Sequence, residues 1–305
     1  MSINTIHRLD KLVFPAGVEI AVLKNAKWSA GIQSLIHTPA GGIYPMFRAN
    51  QLQKPLITFA TPQLDILLGA VGPSGVGVSG INTYYKLGNV TGNVARATAT
   101  HMRVAVSLSC VHWSTIRLTD KKEGEAQVQI TATYDGANAP FVYTGSVALT
   151  GTLVAGSFFG AGPVKINSVS IPGIQEITID SGIKLVQLGD SSEDYDTFVG
   201  IEQAMPSITV KTLELVNWAS FGLQGTPLDG ANGIVCYGRK FSNGGSRVGN
   251  ATAQHLMFQG LNGTCVPQDT DGSGSSPMSD TLKVELTTTS DVVNPITVST
   301  ASTIT

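Results

Sequence analysis

The chain writes one unusual pattern twice. Ala97-Thr98-Ala99-Thr100-His101 reads ATATH, and 154 positions further on Ala251-Thr252-Ala253-Gln254-His255 reads ATAQH. If this were chance the flanking sequence would not align at a similar offset, yet it does. KLVFPAGVEI (11–20) faces SVSIPGIQEI (168–177) at an offset of 157, with Pro15 on Pro172 and Glu19 on Glu176. YPMFRANQLQKPLITFAT (44–61) faces YDTFVGIEQAMPSITVKT (195–212) at 151 without a gap, which sets Tyr44, Phe47, Pro55 and Thr58 against Tyr195, Phe198, Pro206 and Thr209. INTYYK (81–86) resembles IVCYGRK (234–240), and AQVQITATYD (126–135) faces LKVELTTTSD (282–291) at 156. Matches that keep their order while the offset drifts only between 151 and 157 predict one duplicated unit whose loops changed length, giving domains at 1–155 and 156–305. The join is expected near GTLVAGSFFGAGP (151–163), where Gly and Pro interrupt regular structure.

Within each unit, apolar and polar residues alternate in short runs rich in Thr, Val and Ile, such as VEIAVL, QVQITATY, SITV and LKVELTT. That period of two predicts strands, and hence a mainly β fold of two tandem sandwich or barrel domains. One helix is expected in each. TPQLDILLGAVG (61–72) offers Thr61 as N-cap, Pro62 at the first helical position and Gly72 past the end, with Leu64, Leu67 and Leu68 covering a sheet. TLELVNWASFG (212–222) repeats the plan with Thr212, Leu215, Trp218 and Gly222. The ATAxH segments are expected to be strands, so that Ala97, Ala99, His101 and Arg103 share one face and Ala251, Ala253, His255 and Met257 another. His101 and His255 lack a Cys, Asp or second His at ligand spacing, and a packed, hydrogen-bonded role is expected for both.

Composition excludes several functions. Charged residues are only 13% of the chain and the formal charge is −2, so no clustered Lys and Arg surface for gripping phosphates is expected. No run approaches the roughly 20 apolar residues of a membrane helix, and the first residues, MSINTIHRLDKLVFPAG, show no secretory signal pattern. Cys110, Cys236 and Cys265 form neither a close pair nor a metal-ligand spacing and are expected to be buried, reduced thiols of a protein made in a reducing cytoplasm.

Three apparent motifs lack their context. GVGVSG (75–80) has the letters of a dinucleotide fingerprint but follows a helix and precedes a strand, the reverse of the required order, and is expected to be a surface loop. DTDGSGSS (269–276) begins like a calcium loop but has Asp280, not Glu, at its twelfth position. SSEDYD (191–196) is expected to be a solvated acidic loop. No catalytic, metal or cofactor constellation is found, and no enzyme is expected.

The ordered set Tyr-x-x-Phe, Pro-x-Ile-Thr, the Thr-capped helix ending in Gly, the strand around Tyr84 and Tyr85 or Tyr237, and ATAxH resembles the major tail tube proteins of long-tailed bacteriophages with noncontractile tails. The resemblance covers most of the chain in two copies. It implies β-sandwich or barrel tube domains with a flanking helix, strands from neighbouring subunits joined in a barrel that lines the lumen, and rings that stack into a tube in the virion tail. It also implies a tape-measure protein held inside, tail terminator and distal tail proteins as partners, and DNA passing through without specific binding. Three chains would supply six domains, so a trimeric ring is preferred to a hexamer. Regions 56–60, 97–108, 207–211 and 251–260 are then expected in the sheet and inter-subunit barrel. The loops at 88–96 and 240–250 are exposed hairpin tips or contacts to an adjacent ring, and the sequence leaves both open. Phe158 and Phe159 need burial at an interdomain or intersubunit surface. Two other classes remain: another virion component, such as a capsid decoration or distal tail protein, and a carbohydrate-binding adhesive sandwich, for which only Trp28, Trp113 and Trp218 offer platforms.

Overall fold

The alternating segments become antiparallel strands throughout the residues that the computed structural model describes, namely 5–89, 92–120, 122–149, 156–214, 221, 224–242, 245–271, 279–290 and 292–305. The first half runs β1 (Thr5–Val13), β2 (Glu19–Ile20), β3 (Lys24–Ser29), β4 (Ile32–His37), β5 (Phe47–Gln53), β6 (Leu56–Thr61), α1 (Leu64–Val71), β7 (Val76–Asn89), β8 (Gly92–Asn93), β9 (His101–Thr119), β10 (Glu125–Thr133) and β11 (Phe141–Val147). The second runs β12 (Phe158–Ile166), β13 (Val169–Ile171), β14 (Ile174–Asp180), β15 (Ile183–Gly189), β16 (Asp196–Ala204), β17 (Ser207–Thr212), β18 (Thr226–Pro227), β19 (Ile234–Phe241), β20 (His255–Gly260), β21 (Asn262–Asp271), β22 (Ser279–Thr287) and β23 (Ile296–Ser302).

The same succession of pairings occurs in both halves, but the expected match of 11–20 on 168–177 is corrected. Leu12 pairs with Thr83 as Val164 pairs with Cys236, and Glu19 lies on β2 while Glu176 lies on β14, because the loops after β1 and β12 differ in length. The outer group β2-β1-β7-β9-β11 answers β13-β12-β19-β20-β23. The inner group β3-β6-β10-β9 answers β14-β17-β22-β21. Strand β9 carries both groups through 19 unbroken residues, whereas its counterpart stops at Leu261 and restarts, as β20 and β21. Apolar faces of the outer and inner groups meet in one core that includes Leu12, Ile20 and Ile81 with Ile57, Phe59 and Val128, and Ile166, Ile234 and Phe258 with Ile179, Ile208 and Val284. Each such side chain contributes about 1.5–3 kcal/mol when fully buried.

The helix expected from Leu64, Leu67 and Leu68 is present and buries all three with Val71. It ends at Gly72, whose N–H donates to the Leu68 carbonyl at φ +68°. Its start differs from the expected one: Gln63 is the cap residue, and the Thr61 hydroxyl instead accepts the Gln63 N–H at 3.2 Å in the turn leading in. The Gln63 side chain is held away from the helix because its Oε1 accepts the N–H groups of Ala21 and Val22 at 2.7 and 2.8 Å. Thr212 repeats the turn by accepting the Glu214 N–H at 3.2 Å, while Leu215 and Trp218 of the second expected helix lie outside the described residues.

Two further expectations are corrected. GVGVSG is not a loop, because Val76–Gly80 forms the first part of β7, paired with β9 from Val76 on Val111 to Ser79 on Leu108. Gly75 supplies the turn before it at φ +76°. The ATAxH segments are not strands up to the histidine. Thr98 N–H donates to Ala95 O and Thr100 N–H to Thr98 O, Thr252 N–H to Gly249 O and Gln254 N–H to Thr252 O, so each segment coils through turns and the strand begins at His101 or His255. Both rings are buried and identically bonded. Nδ1 accepts the Leu87 N–H at 2.9 Å or the Lys240 N–H at 3.1 Å, and Nε2 donates to Ala95 O or Gly249 O at 3.0 Å. A side chain that satisfies both ends of the turn outweighs the weak strand preference of Thr.

Candidate functional site

Eight strands lie side by side in the order β3-β6-β10-β9-β14-β17-β22-β21. The halves are joined in the middle of this run, where β9 pairs with β14 from Thr115 on Asp180 to Thr119 on Glu176. Since alternate residues point to opposite faces, burial of Ile57, Ile116, Leu118, Val128, Ile177, Ile179, Ile208, Val210, Leu282 and Val284 assigns one face to the core. The other face carries Thr58, Gln127, Gln129, Thr115, Thr178 and Thr209, with a nearly balanced set of charges. Lys24, Lys27, Arg117, Lys211 and Lys283 stand there among Glu125, Glu176, Asp180 and Glu285.

Those cations are largely engaged. Arg117 bonds Glu176 across the junction, Lys24 bonds Glu123 and lies 3.7 Å from Glu125, and Lys283 meets Glu285 at 2.8 Å. The Glu123 hydrogen bond raises the Lys24 pKa, and that of Glu176 raises the Arg117 pKa. Exposed pairs of this kind add little stability, about 0–1 kcal/mol each. Their consequence is instead that the polar face presents no row of free cations to a phosphate backbone.

Beyond the run, each half extends a two-stranded arm. Strands β4 and β5 continue β3 and β6, and β15 and β16 continue β14 and β17. Pro55 and Pro206 mark the bends, opposite Gly31 and Gly182. Both glycines have φ +57°, and a Cβ on them would sit 1.9 Å from Lys54 O and 2.0 Å from Met205 O. Only glycine tolerates that conformation and approach together.

The arms end differently. The second bends back on the first half, where Gln53 N–H donates to Asp194 O at 2.8 Å, Tyr134 N–H donates to Asp196 O at 2.9 Å, and Tyr195 stacks on Tyr134 at 6.3 Å. Asp196, expected in a solvated loop, is 1% exposed with Lys54 Nζ 3.4 Å away. Burial of one carboxylate from an otherwise acidic loop follows from docking onto a half that is remote in sequence. The first arm touches no such seat: Ile43 is 84% and Tyr44 74% exposed, and Met46 and Phe47 are exposed too.

The other sequence-expected residues are placed as follows. Thr58 and Thr209 lie on the polar sheet face, and Phe198 is exposed on the second arm. Phe159 is buried, with its carbonyl accepting the Gly124 N–H of the first half at 2.6 Å, while Phe158 is half-buried opposite Phe241. The loops around Val90 and Thr91 and around Asn243 and Gly244, and the first part of the join expected at 151–163, reach outside the described residues, while β12 already begins at Phe158. Trp113 is in the core, its Nε1 donating to Gly72 O at 3.0 Å, and Trp28 is half-buried against Tyr85, so neither forms an open aromatic platform. The cysteines are all buried and free. No group of three His, Cys, Asp or Glu among the described residues could hold a metal ion, and no described helix is long and apolar enough to cross a membrane. Comparison with protein-family models and with curated proteins finds no match.

Proposed function

We propose that this chain is a structural subunit of a hollow tube, the tail tube of a long-tailed noncontractile phage, in which three chains close a ring of six duplicated units and the rings stack. The observation that carries the reading is the single antiparallel run of eight strands joined unit to unit at β9 and β14; among the described residues β3 is open at one end, and at the other β21 is open beyond the short β18 that pairs with Thr264 and Cys265. Open edges invite pairing with further chains, and a head-to-tail contact between unlike edges gives either a closed ring or a filament.

Three runs of eight make a barrel of 24 strands. With strands about 4.8 Å apart and tilted by about 40°, each takes up roughly 6.3 Å of circumference, for a backbone diameter of about 48 Å. Subtracting about 5 Å of side chain at each wall, half the roughly 10 Å spacing of packed sheets, leaves a bore near 38 Å. A bore lined by threonine, glutamine and paired charges suits passage of a polyanion without retention. The protein then holds a tape-measure protein during assembly and conducts DNA afterwards, in the tail of the virion, as a scaffold rather than a catalyst. The test is electron microscopy of concentrated protein with mass measurement of the smallest closed species. Hollow rods with threefold or pseudo-sixfold end views and a three-chain ring are expected; discrete monomers that bind glycans would overturn the reading.

A further inference from the structure

The chain contains, folded inside itself, a copy of a contact that its two ends are missing. The β9–β14 junction comprises three parts: an antiparallel pairing that sets Arg117 opposite Thr178 and Ile116 opposite Ile179, the bent second arm, and the docking of residues 194–196 on Gln53, Lys54 and Tyr134. The pairings translate each part to the open ends. Strand β6 matches β17 at an offset of 151, so Thr178 and Ile179 of β14 correspond to Lys27 and Trp28 of β3. Strand β10 matches β22 at 156, so Ile116 of β9 corresponds to Pro267 of β21, and the next residue, Gln268, stands in the place of Arg117 at the register shift before Thr270. Beyond β18, which covers β21 only as far as Cys265, this edge has no strand beside it among the described residues.

We infer that a second copy of this chain binds here head to tail, with Lys27 of β3 opposite Gln268 of β21 and the first arm seated on the second half of the neighbour around Ala204, Met205 and Ser290. The inference rests on the proposed ring and supplies its contact. Three observations single out another copy as the occupant.

The first is the exposure contrast between equivalent positions. Tyr195 and Asp196 are covered by the first half, whereas Tyr44 and its flanking Ile43 and Met46 stand in the open, as does Met205, 66% exposed, at the place that corresponds to Lys54. Second, the chemistry changes in step on both sides. The Asp196–Lys54 ion pair of the inner junction becomes Pro45 and Met205, so an apolar group meets an apolar one. Third, the edges are unlike, Lys27 and Trp28 on β3 and Pro267 and Gln268 on β21, so that only a head-to-tail pairing repeats the β9–β14 contact. Pro267 lacks an N–H, so the outer pairing has one donor fewer than the inner one and is the weaker joint. That ordering lets a chain fold before it assembles.

The experiment uses three variants of the full chain. Lys27→Cys and Gln268→Cys are prepared separately, mixed, assembled and oxidised. Residues directly opposite in antiparallel strands have Cβ atoms about 4.5–5.5 Å apart, within reach of a disulfide or a short bismaleimide. The double variant Arg117→Cys/Thr178→Cys calibrates the same register inside one chain, and the native thiols are buried. The expected result is a covalent dimer only in the mixture, at a yield within about twofold of the internal control. Dimers of Lys27→Cys alone, or rings that form without cross-linking in the mixture, overturn the inferred contact while leaving the tube reading intact. Cross-linked closed oligomers that never stack support the contact and remove the tube. A mixture that stays monomeric without cross-linking when concentrated overturns both.

Discussion

Replacing either buried histidine with alanine should destabilise the protein by about the same amount at two sites far apart in sequence. His101 and His255 each accept one backbone N–H and donate to one backbone carbonyl, at distances between 2.9 and 3.1 Å. Alanine removes both bonds, each worth about 1 kcal/mol net, and leaves a buried donor unmatched, for a loss near 3 kcal/mol in total. The melting shift reports how much of the chain unfolds with the site. At roughly 2.1 cal/mol/K per residue, all 305 residues unfolding together give about 0.64 kcal/mol/K, and a shift near 5 °C. If one half melts alone the slope is about half that and the shift is nearer 9 °C. Calorimetry of His101→Ala, His255→Ala and both His→Asn variants distinguishes these cases. Asparagine can still accept the N–H and should recover about 1 kcal/mol. Losses below about 1 kcal/mol, or values for the two alanine variants that differ by more than about 1.5 kcal/mol, would refute the equivalence of the two turns.

Alanine at Gly31 or Gly182 places a methyl against a carbonyl at about 2 Å and forces φ +57° on a residue with a Cβ. Each should cost at least about 2 kcal/mol, and Gly182→Ala should release the docked second arm, read as faster proteolysis between 183 and 204. The three thiols should resist Ellman's reagent at pH 8 until the chain unfolds, because burial raises the Cys110 and Cys236 pKa values, and burial with the nearby Asp280 pushes Cys265 up to about 12; labelling of the native protein would contradict the packing. Asp229 closes a turn by accepting from the Asn232 side chain and from the N–H groups of Ala231, Asn232 and Gly233, which lower its pKa from 3.8 to about 2. A depressed folded value means that its stabilisation is present above about pH 3.8 and is lost as pH falls through about 2. A carbon NMR titration should therefore find this carboxyl still ionised at pH 3, and a midpoint near 3.8 would show the turn to be open.

Much of the fold was legible because local rules and tertiary order agree in it. Period-two alternation in QVQITAT and LKVELTT became β10 and β22, Gly72 ended the helix, and the aligned prolines Pro55 and Pro206 fell at the same bend in both halves. Where the reading failed, a contact from afar had changed the local balance. ATATH has the composition of a strand, but an imidazole that bonds Leu87 and Ala95 holds its turn. GVGVSG has the composition of a loop, yet it lies along β9, and a ladder of backbone hydrogen bonds offsets the entropy its glycines lose. Asp196 belongs to a run of acids whose ordinary place is in water, and only Lys54 and Tyr134 bring it inside.

The sequence by itself determined the kind of structure, mainly β among the described residues with Pro55 and Pro206 and His101 and His255 in matching places, because hydrophobic period, turn residues and recurring motifs are local properties. Only the tertiary structure decided that the two halves share one sheet, which strand edges remain open, and that one arm is seated while the other is bare. Those facts depend on which backbone donors and acceptors meet across about 60 to 140 residues, from Thr119 and Glu176 to Gln53 and Asp194, and every peptide unit carries the same N–H and C=O whatever its side chain. The register that joins β9 to β14 is therefore set by what else the chain packs around it.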